Sequence, residues 1–378
     1  MQLFNSGELS AAPFLFITFC FAAVLQLWYY LGIFSRLAFY KKKEAPAPVL
    51  PVSVIICARN EEKKLQQFLP LIMQQDYPQY EVVVVNDCSY DYSADVLEEF
   101  AKKHDNFKIV TIQEDENHFH GKKFALMVGI KGARYEHLLL TDADCKPESL
   151  HWIKNMMRNF YPGTEVVLAY GAYEKTKTFL NKLIRFDTYY AALQYLSFAL
   201  AGKPYMGVGR NLAYTRSLFF NNKGFASHYH IESGDDDLFI NEVATGKNTK
   251  TEPLLESRTV SIPKPTLKLW MQQKRRHVTT FPHYTNGSRA RLLAVAFSQY
   301  LFWALFITLL VMQVELYITS GIFFFRLLVQ MFIFRRSMIR MGERDLWWWG
   351  PVLEITLMFF YPMLGISNLF IRKSKWKI

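Results

Sequence analysis

The sequence is poor in cysteine and has no cysteine pattern typical of a metal centre. Its 378 residues include four cysteines, Cys20, Cys57, Cys88 and Cys145, and none has the spacing of zinc ligands. One lies in an apolar segment, and three lie at the ends of predicted strands. Because free cysteine behaves as a small apolar side chain, we expect reduced, packed thiols in a cytosolic domain.

Nucleic-acid-binding motifs, internal repeats and low-complexity tracts are also missing, although the net charge is +11. The basic residues cluster at 41–43, 264–276 and 372–377, beside apolar segments. Anionic lipid headgroups attract such clusters. We therefore expect the partner of these basic surfaces to be a membrane and not a nucleic acid.

The amino-terminal apolar segment lacks the features of a cleaved signal peptide. Residues 13–39 have their first charge at Arg36, and the acidic Glu8 precedes them in place of a basic start. A membrane span needs about 20 apolar residues, so the segment predicts an uncleaved anchor. Lysines next to a span tend to remain in the cytoplasm, so Lys41 and Lys42 place the middle of the chain there, at the cell inner membrane.

The carboxy-terminal region is apolar again and predicts about three membrane segments, near 292–314, 317–334 and 347–371. Three full spans would leave the basic tail outside, against the positive-inside tendency. We therefore expect one segment, most simply the proline-containing last one, to be re-entrant or interfacial. Arg326 either faces a polar interior or extends to the interface.

These patterns divide the chain into three parts. Residues 1–50 form the anchor and a proline-rich linker, 51–290 form a cytosolic domain, and 291–378 form the second membrane region. In the middle part, apolar strands alternate with helices, which indicates an α/β fold with a parallel sheet covered on both faces. The predicted strands are 52–57, 81–86, 107–112 and 137–141, and the predicted helices are 61–75, 91–104 and 121–134.

Polar residues follow three of these strands. Arg59-Asn60, Asp87 and Asp142-Ala143-Asp144 each stand just past a strand end. Ligands of such sheets bind at the carboxyl ends of the strands, so we expect these residues to share one crevice. Two carboxylates one residue apart suit Mg²⁺ or Mn²⁺ bound to a diphosphate. Alternatively, Asp87 caps a helix and the Asp-x-Asp is a turn.

Two further polar groups extend this pattern. Lys122 begins a predicted helix, where it either approaches a phosphate as a point charge or is simply solvated. Asp235, Asp236 and Asp237 are consecutive. Their mutual repulsion raises a carboxyl pKa toward the range of a general base. The alternative is a solvated acidic turn without a function.

Residues 264–280 predict a basic amphipathic helix on the membrane surface, with Leu267, Trp270 and Met271 on its apolar face. This placement brings Gln273, Arg276 and His277 to the boundary where a lipid-attached sugar would lie. The alternative is a surface helix that contacts the membrane and has no catalytic role.

Taken in this order, the motifs resemble glycosyltransferase family 2, inverting enzymes with a GT-A fold, and in particular its membrane-bound branch of polysaccharide synthases and ceramide glucosyltransferases. The resemblance covers about residues 51–284. It is carried by PVSVIICARNEE, VVVVNDCS, GKKFAL, LLLTDADC, GVGRNLAYTR, GDDDLF and QQKRRH.

The resemblance implies a role for each motif. Asp236 aligns with the catalytic base, and Asp235 replaces the more frequent glutamate beside it. Asp144 and Asp142 would serve the metal, Mg²⁺ or Mn²⁺, and the diphosphate. Gln273, Arg276 and His277 would face the acceptor. The implied nucleotide and donor contacts are Ala58, Glu61, Asp87, Lys122, Asp142 and the segment Gly209, Arg210 and Asn211.

The implied activity is transfer of a sugar from a nucleotide-sugar, usually of UDP, to a membrane-associated lipid or glycan acceptor. His277 stands where processive synthases have a stacking tryptophan, and an imidazole covers less of a sugar face. A processive polysaccharide synthase therefore remains an alternative, as does a non-catalytic membrane scaffold. A sugar nucleotidyltransferase would need a glycine-rich loop after the first strand, where this chain has Ala58-Arg59-Asn60-Glu61.

Overall fold

The computed structural model of the chain describes residues 11–42, 48–113 and 121–370. Most of the predicted proline-rich linker, at 44–47, and the basic tail, at 372–377, lie outside the described residues. In the described part, the predicted α/β rhythm is confirmed. The helices and strands found there begin and end within a few residues of the predicted ones.

A mixed sheet forms the centre of the α/β part, with strand order β3-β2-β1-β4-β8-β6-β9. Strands β1 to β4 pair in parallel, as predicted from their apolar sequences. Their inward-facing side chains are almost completely buried, and each Val or Ile buried in this way stabilises the fold by about 1.5–3 kcal/mol. The seven strands are Val52–Ala58 (β1), Tyr80–Asp87 (β2), Phe107–Ile112 (β3), His137–Asp142 (β4), Val166–Ala169 (β6), Leu212–Thr215 (β8) and Thr249–Glu252 (β9).

The prediction of an all-parallel sheet is wrong at β8, which runs antiparallel to both of its neighbours, β4 and β6. Leu212 at the start of β8 pairs with Leu140 near the end of β4. The chain thus enters β8 at the carboxyl end of β4. It comes there from the long helix Phe179–Leu200 and not from a crossover connection between parallel strands. This reversal brings residues 209–211 to the edge where the polar strand ends meet.

Helices cover both faces of the sheet. Against one face, Gly129 lies so close to the strands that a Cβ atom there would stand 2.8 Å from Val85 Cγ2 and 2.9 Å from Ile55 Cγ2. A glycine at this position therefore allows the helix Lys122–Gly132 to pack directly against β1 and β2. The helices of this part are Glu62–Met73 (α3), Ser93–Lys103 (α4), Lys122–Gly132 (α5), Trp152–Met157 (α6), Phe179–Leu200 (α7), Arg216–Asn221 (α8), Asp237–Val243 (α9) and Leu267–Val278 (α10).

A small second sheet stands beside the first, with strand order β5-β10-β7. Its strands are Cys145–Pro147 (β5), Gly171–Tyr173 (β7) and Thr259–Ser261 (β10). Because β5 follows directly on Asp144 and β7 ends at Tyr173, this sheet carries both residues on the same side of the molecule.

Four helical stretches in the described part of the chain are long and apolar enough to cross a membrane, one amino-terminal and three carboxy-terminal. The first consists of Ala12–Trp28 (α1), a π-helical turn and Ser35–Ala38 (α2), the second and third are Asn286–Val311 (α11) and Leu316–Met341 (α12), and the last, Arg344–Asn368, contains most of Gly350–Phe370 (α13). The amino-terminal helix packs on α11, where Phe19 stacks on Phe302 with ring centroids 5.2 Å apart.

A buried polar network joins these helices and decides the position of Arg326. Its guanidinium is fully buried and donates hydrogen bonds to Gln330, to Gln26 Oε1 (2.8 Å) and to the Tyr30 hydroxyl (3.2 Å). Glu354 of α13 lies 3.6 Å away and also accepts a bond from Tyr30. Arg326 therefore faces a polar interior, since a buried charge needs such partners.

The membrane helices are also fastened to the α/β part. Arg185 of α7 forms a buried ion pair with Glu343, just past α12, and its Nη1 donates to Asp345 Oδ2 at 2.8 Å. On α13, the Phe360 ring stacks on Trp270 of α10 with centroids 4.5 Å apart. The basic helix α10 therefore buries part of its apolar face against α13.

Candidate active site

A cavity of about 760 Å³ opens at the carboxyl edge of the main sheet, a size typical of small-molecule sites. The polar residues expected after β1, β2 and β4 all line it, as the sheet rule predicts. Lys122, the acidic cluster and the basic helix α10 complete its wall. Its predicted lining residues are Ala58, Glu61, Asp87, Lys122, Asp142, Asp144, Asp235, Asp236, Gln273, Arg276 and His277.

The loops after β1 and β2 hold each other in place. The Asn60 backbone N–H donates to Ser89 Oγ at 3.1 Å, and the Asn60 side chain accepts a bond from the Tyr90 N–H at 2.8 Å. Asp91, predicted only to begin a helix, accepts a bond from the Glu62 N–H at 3.1 Å. These bonds fix the two strand ends between which Asp87 lies.

Lys122 connects the Asp-x-Asp segment with the acidic cluster. Its Nζ lies 3.0 Å from Asp142 Oδ1 and 3.0 Å from Asp235 Oδ2. Burial alone lowers the pKa of Lys122, but Asp142 and Asp235 outweigh it and hold that pKa well above its usual value. Lys122 also lowers the pKa of Asp235, although burial acts in the opposite direction. Both groups are therefore charged at neutral pH.

The three consecutive aspartates point in different directions. Gly234 before them has φ +99°, and a Cβ there would stand 2.4 Å from Leu238 Cδ1, so this sharp turn requires glycine. Asp237 is buried and accepts bonds from the hydroxyls of Thr280 and Tyr284, the latter at 2.8 Å. It therefore ties the cluster to the segment before α11.

Asp236 is the carboxylate of this cluster that is best placed to take up a proton. It is only half-buried, and its Oδ2 accepts a bond from the Gly209 N–H at 2.7 Å. Burial raises the pKa of Asp236 to about 7, and the charges of Asp235 and Asp237 add to this effect. A carboxyl with a pKa near the working pH is suited to general-base catalysis.

The Asp-x-Asp segment offers oxygen ligands for a divalent cation. Ligand atoms of Asp142, Asp144 and Cys145 lie within 4.8 Å of one another. The Cys145 thiol is 2.8 Å from Ser261 Oγ, and burial raises its pKa well above the usual value, so it stays protonated. The available donors are thus the two carboxylates, which fit Mg²⁺ or Mn²⁺. Since Asp142 already pairs with Lys122, Asp144 is the less engaged of the two.

Of the predicted donor segment, Gly209 and Asn211 do not line this cavity, and Asn211 is directed into the protein interior. Its side chain is fully buried, accepts a bond from Trp152 Nε1 (3.0 Å) and donates to the carbonyls of Tyr170 (2.9 Å) and Ser257 (2.7 Å). The neighbouring Arg210 lines the cavity instead, with its guanidinium 4.3 Å from the centroid of the Tyr173 ring.

On the side that the sequence predicts to face an acceptor, α10 presents Gln273, Arg276 and His277 to the cavity. The Gln273 amide donates to the Tyr173 hydroxyl at 3.2 Å. Burial, together with the charges of Lys274 and Arg276, holds the pKa of His277 well below its usual value. His277 is therefore a neutral imidazole at pH 7, able to donate and to accept hydrogen bonds.

An ion pair behind this helix was not predictable from any motif in the sequence. Lys274 pairs with Asp187 of α7, which is only 2% exposed and also accepts a bond from the Tyr361 hydroxyl of α13 at 2.5 Å. Three helices distant in sequence therefore meet at one carboxylate. Lys274 and Tyr361 line the cavity, as do Tyr205 and Tyr284, which no motif had indicated.

Comparison with known proteins agrees with this geometry. Residues 53–220 match the family model described as Glycosyl transferase family 2. The chain is 35% identical over 111 residues to a poly-beta-1,6-N-acetyl-D-glucosamine synthase of Staphylococcus epidermidis, covering 29% of this chain and 25% of that protein. It is 29% identical over 237 residues to the probable glycosyltransferase YdaM of Bacillus subtilis, covering 60% of this chain and 54% of that protein.

Among solved structures, the mannosyltransferase PcManGT from Pyrobaculum calidifontis, in complex with GDP-Man and Mn²⁺, aligns with a TM-score of 0.58 at 19% identity. The alignment covers 90% of this chain and 96% of that one. This likeness establishes the fold. Residues 53–220 therefore match a glycosyltransferase family 2 domain, and the described part of the chain has a fold like that of this solved structure, together with four candidate membrane helices. It spans between a quarter and about half the length of the two curated relatives.

We predict that Asn211→Ala lowers the free energy of unfolding by about 1–3 kcal/mol, because it leaves buried partners without their hydrogen bonds. The measurement is denaturant unfolding of the detergent-solubilised protein, with the exposed Asn221→Ala as the matched control, which we expect to remain within about 0.5 kcal/mol of wild type. Unchanged stability of Asn211→Ala with weakened nucleotide binding would instead mean that this side chain contacts the donor.

Proposed function

We propose that the chain is an inverting glycosyltransferase that moves a sugar from a nucleotide-sugar to a membrane-associated lipid or glycan acceptor. The observation that carries the proposal is the meeting, in one cavity, of a strand-end Asp87, a carboxylate pair and a half-buried Asp236. These are a nucleotide-contacting group, oxygen ligands for a diphosphate-bound cation, and a base.

The donor nucleotide would lie at the ends of β1 and β2. Asp87 is mostly buried there, with Ala58 and Glu61 beside it in the wall. Burial raises the pKa of Glu61, although Lys64 beside it acts in the opposite direction. In this proposal Asp87 accepts hydrogen bonds from the base or ribose. The resemblance implies UDP as the nucleotide.

The diphosphate would lie over the Asp-x-Asp segment. Asp144, with Asp142, would hold Mg²⁺ or Mn²⁺, which when bound neutralises charge on the departing diphosphate. Lys122 stands next to Asp142 as a fixed positive charge at the same place. Arg210, held over the Tyr173 ring, would face the donor sugar. Asn211 acts in this proposal as a positioning residue, since it holds the segment that carries Arg210.

The reaction would be a direct displacement. Asp236 takes the proton of an acceptor hydroxyl, whose oxygen forms a bond to the anomeric carbon as the bond to the diphosphate breaks. The electron pair of that bond leaves with the nucleoside diphosphate. Because the attack comes from the side opposite the leaving group, the configuration inverts. Asp235, paired with Lys122, stays ionised, and its negative charge favours the uptake of a proton by the ionised Asp236.

The acceptor would reach this site from the membrane. Gln273, Arg276 and His277 face the cavity from α10, and α10 itself packs on the candidate membrane helix α13. This arrangement supports a cytosolic domain seated on the inner membrane. A processive polysaccharide synthase is the second candidate, favoured by the similarity to the Staphylococcus epidermidis synthase.

The direct test is release of nucleoside diphosphate by purified protein in lipid. We expect the protein, with Mn²⁺ or Mg²⁺ and membrane lipid extract as acceptor, to release it from one donor of a panel that includes UDP-glucose, UDP-N-acetylglucosamine and GDP-mannose. Asp236→Asn should lower turnover by at least about 100-fold, the lower range of general-base effects, while nucleotide binding is kept. Asp105→Asn, which alters an exposed turn carboxylate that does not line the cavity, is the matched control.

Absence of release from every donor, with the extract present, would contradict the proposal and favour the scaffold alternative. Equal turnover of Asp236→Asn and Asp105→Asn would contradict the assignment of the base. Mass spectrometry of the extract, which separates single from repeated additions, decides between the two candidate functions.

The pKa of Asp236 also sets the pH dependence. Because the base acts in its ionised form, kcat/KM should rise with pH through about 7 and level off above it. The charge of Lys122 lowers this pKa, so Lys122→Met should shift the acid limb to higher pH in addition to reducing the rate. An acid limb that stays in place in Lys122→Met would show that another group titrates.

A further inference from the structure

Lys123, the neighbour of Lys122 on α5, is a buried charge that the proposed reaction does not use. It is only 4% exposed and does not line the large cavity. Its ammonium Nζ lies 2.6 Å from the His228 carbonyl oxygen, 2.9 Å from the Ile231 carbonyl oxygen and 2.9 Å from His228 Nδ1. An ammonium group has three N–H donors, so each of them has an acceptor here.

These contacts require a defined state of both side chains. Because an ammonium cannot accept a hydrogen bond, Nδ1 of His228 must carry the lone pair, and the ring proton is on Nε2. Burial, together with the charge of Lys123, lowers the pKa of His228 to about 4, so the imidazole is neutral at pH 7. Burial lowers the pKa of Lys123 to about 8, while the three aspartates of the acidic cluster act in the opposite direction. At pH 7 the pair is thus a charged donor and a neutral acceptor.

Two consecutive lysines of α5 hold the ends of one short segment, residues 228–235, which we call the strap. Lys123 binds its amino-terminal half, and Lys122 binds Asp235 at its carboxy-terminal end, with 3.0 Å between Nζ and Oδ2. Neighbouring positions on a helix point in different directions, so the two side chains reach different parts of the strap. The strap leads directly into Asp236, the proposed base.

The middle of the strap forms part of the wall of the large cavity. Glu232 and Ser233 line this cavity, as does Arg276 of α10. Burial lowers the pKa of Arg276, and the charge of Glu232 acts in the opposite direction. The strap and α10 therefore contribute oppositely charged groups to the same cavity, and the position of the strap affects its shape and its charge.

Apolar packing holds the strap only in part. Residues 229–233 form turns and bends, in which Tyr229, His230 and Glu232 are exposed and Ile231 is partly buried. Segments with few buried apolar contacts open more readily than packed helices and strands. Hydrogen bonds from a charged donor are stronger than those between neutral groups. The bonds from Lys123 therefore contribute much of what keeps the amino-terminal half of the strap in place.

From this we infer that Lys123 is a positioning residue of the transfer reaction, which holds the strap so that its part of the cavity wall and the base Asp236 are correctly placed. Lys123 acts through the strap and touches no proposed reactant. The inference rests on the proposed function and deepens it, because it names a residue outside the cavity wall on which the base depends. The proposed nucleotide site lies at the ends of β1 and β2, so donor binding should not require Lys123.

The first test measures the strap itself and needs no turnover. It is hydrogen–deuterium exchange in lipid nanodiscs, read by mass spectrometry. In Lys123→Met the amides of residues 228–235 should exchange about tenfold faster than in wild type, the factor that corresponds to the loss of one charged hydrogen bond. Lys131→Met, at an exposed position of the same helix, is the matched control and should leave this exchange unchanged.

Two outcomes of the exchange experiment would overturn the inference. Equal exchange of the strap in wild type, Lys123→Met and Lys131→Met would mean that Lys123 does not fix the strap. Faster exchange throughout the α/β part in Lys123→Met would mean that this side chain contributes only to general stability.

The second test uses the transfer reaction with the membrane lipid extract. Lys123→Met should lower kcat by about 10- to 100-fold, because a misplacement of about 1 Å can cost about 100-fold. The Kd of the donor nucleotide, measured without acceptor, should stay as in wild type, and Lys131→Met should change neither quantity. An unchanged kcat in Lys123→Met, or a weakened donor affinity that accounts for the whole loss of activity, would contradict the positioning role.

Chemical rescue separates this role from a merely structural one. In Lys123→Ala, n-propylammonium can take the place of the missing side chain and donate the same hydrogen bonds, so it should restore much of the lost kcat. Tetramethylammonium has the same charge but no N–H donor, and it should not. Equal rates with the two cations would overturn the inference. A wild-type protein that turns over no donor would contradict the proposed function, while the exchange experiment would still decide whether Lys123 fixes the strap.

Discussion

The structure of the site depends on the balance between several carboxylates and one ammonium group. Asp142, Asp235 and Asp236 approach the same region of the cavity, and Lys122 lies 3.0 Å from each of the first two. Without this charge, the carboxylates would repel one another more strongly. With it, the pKa of Asp235 is lowered, whereas burial, together with the charges of Asp235 and Asp237, raises the pKa of Asp236. Lys122 thus holds Asp142 and Asp235 close to one another. Asp236, with its raised pKa, is the carboxylate suited to accept a proton.

The membrane helices contribute to the same site. Asp187 joins α7, α10 and α13, and Arg185 on α7 fastens the end of α12. The helix α10 carries the residues that we propose to face the acceptor, and its position depends on helices that belong to the membrane region. The helix α10 and the membrane region therefore pack together through buried charges and ring contacts.

The sequence predicted the parts of the fold that local pattern determines. Apolar strands followed by polar turns predicted β1 to β4, and the sheet rule then brought Asp87 and Asp142 together. Local pattern could not predict the antiparallel β8, since its direction depends on where α7 ends. Nor could it show that the Asn211 side chain forms its hydrogen bonds with buried groups of the protein. The same holds for the ion pairs of Asp187 and Glu354 with residues far away in sequence. Such contacts are decided by tertiary packing.

The central claim is a single displacement in which Asp236 accepts the proton of the acceptor. The most direct measurement is the anomeric configuration of the first product, determined by NMR with a donor whose sugar is α-linked to the diphosphate. The account predicts a β-linked product from the first turnover. A product that retains the α-linkage would require two displacements or a different route, and would contradict the assignment of Asp236 as the base of a direct transfer.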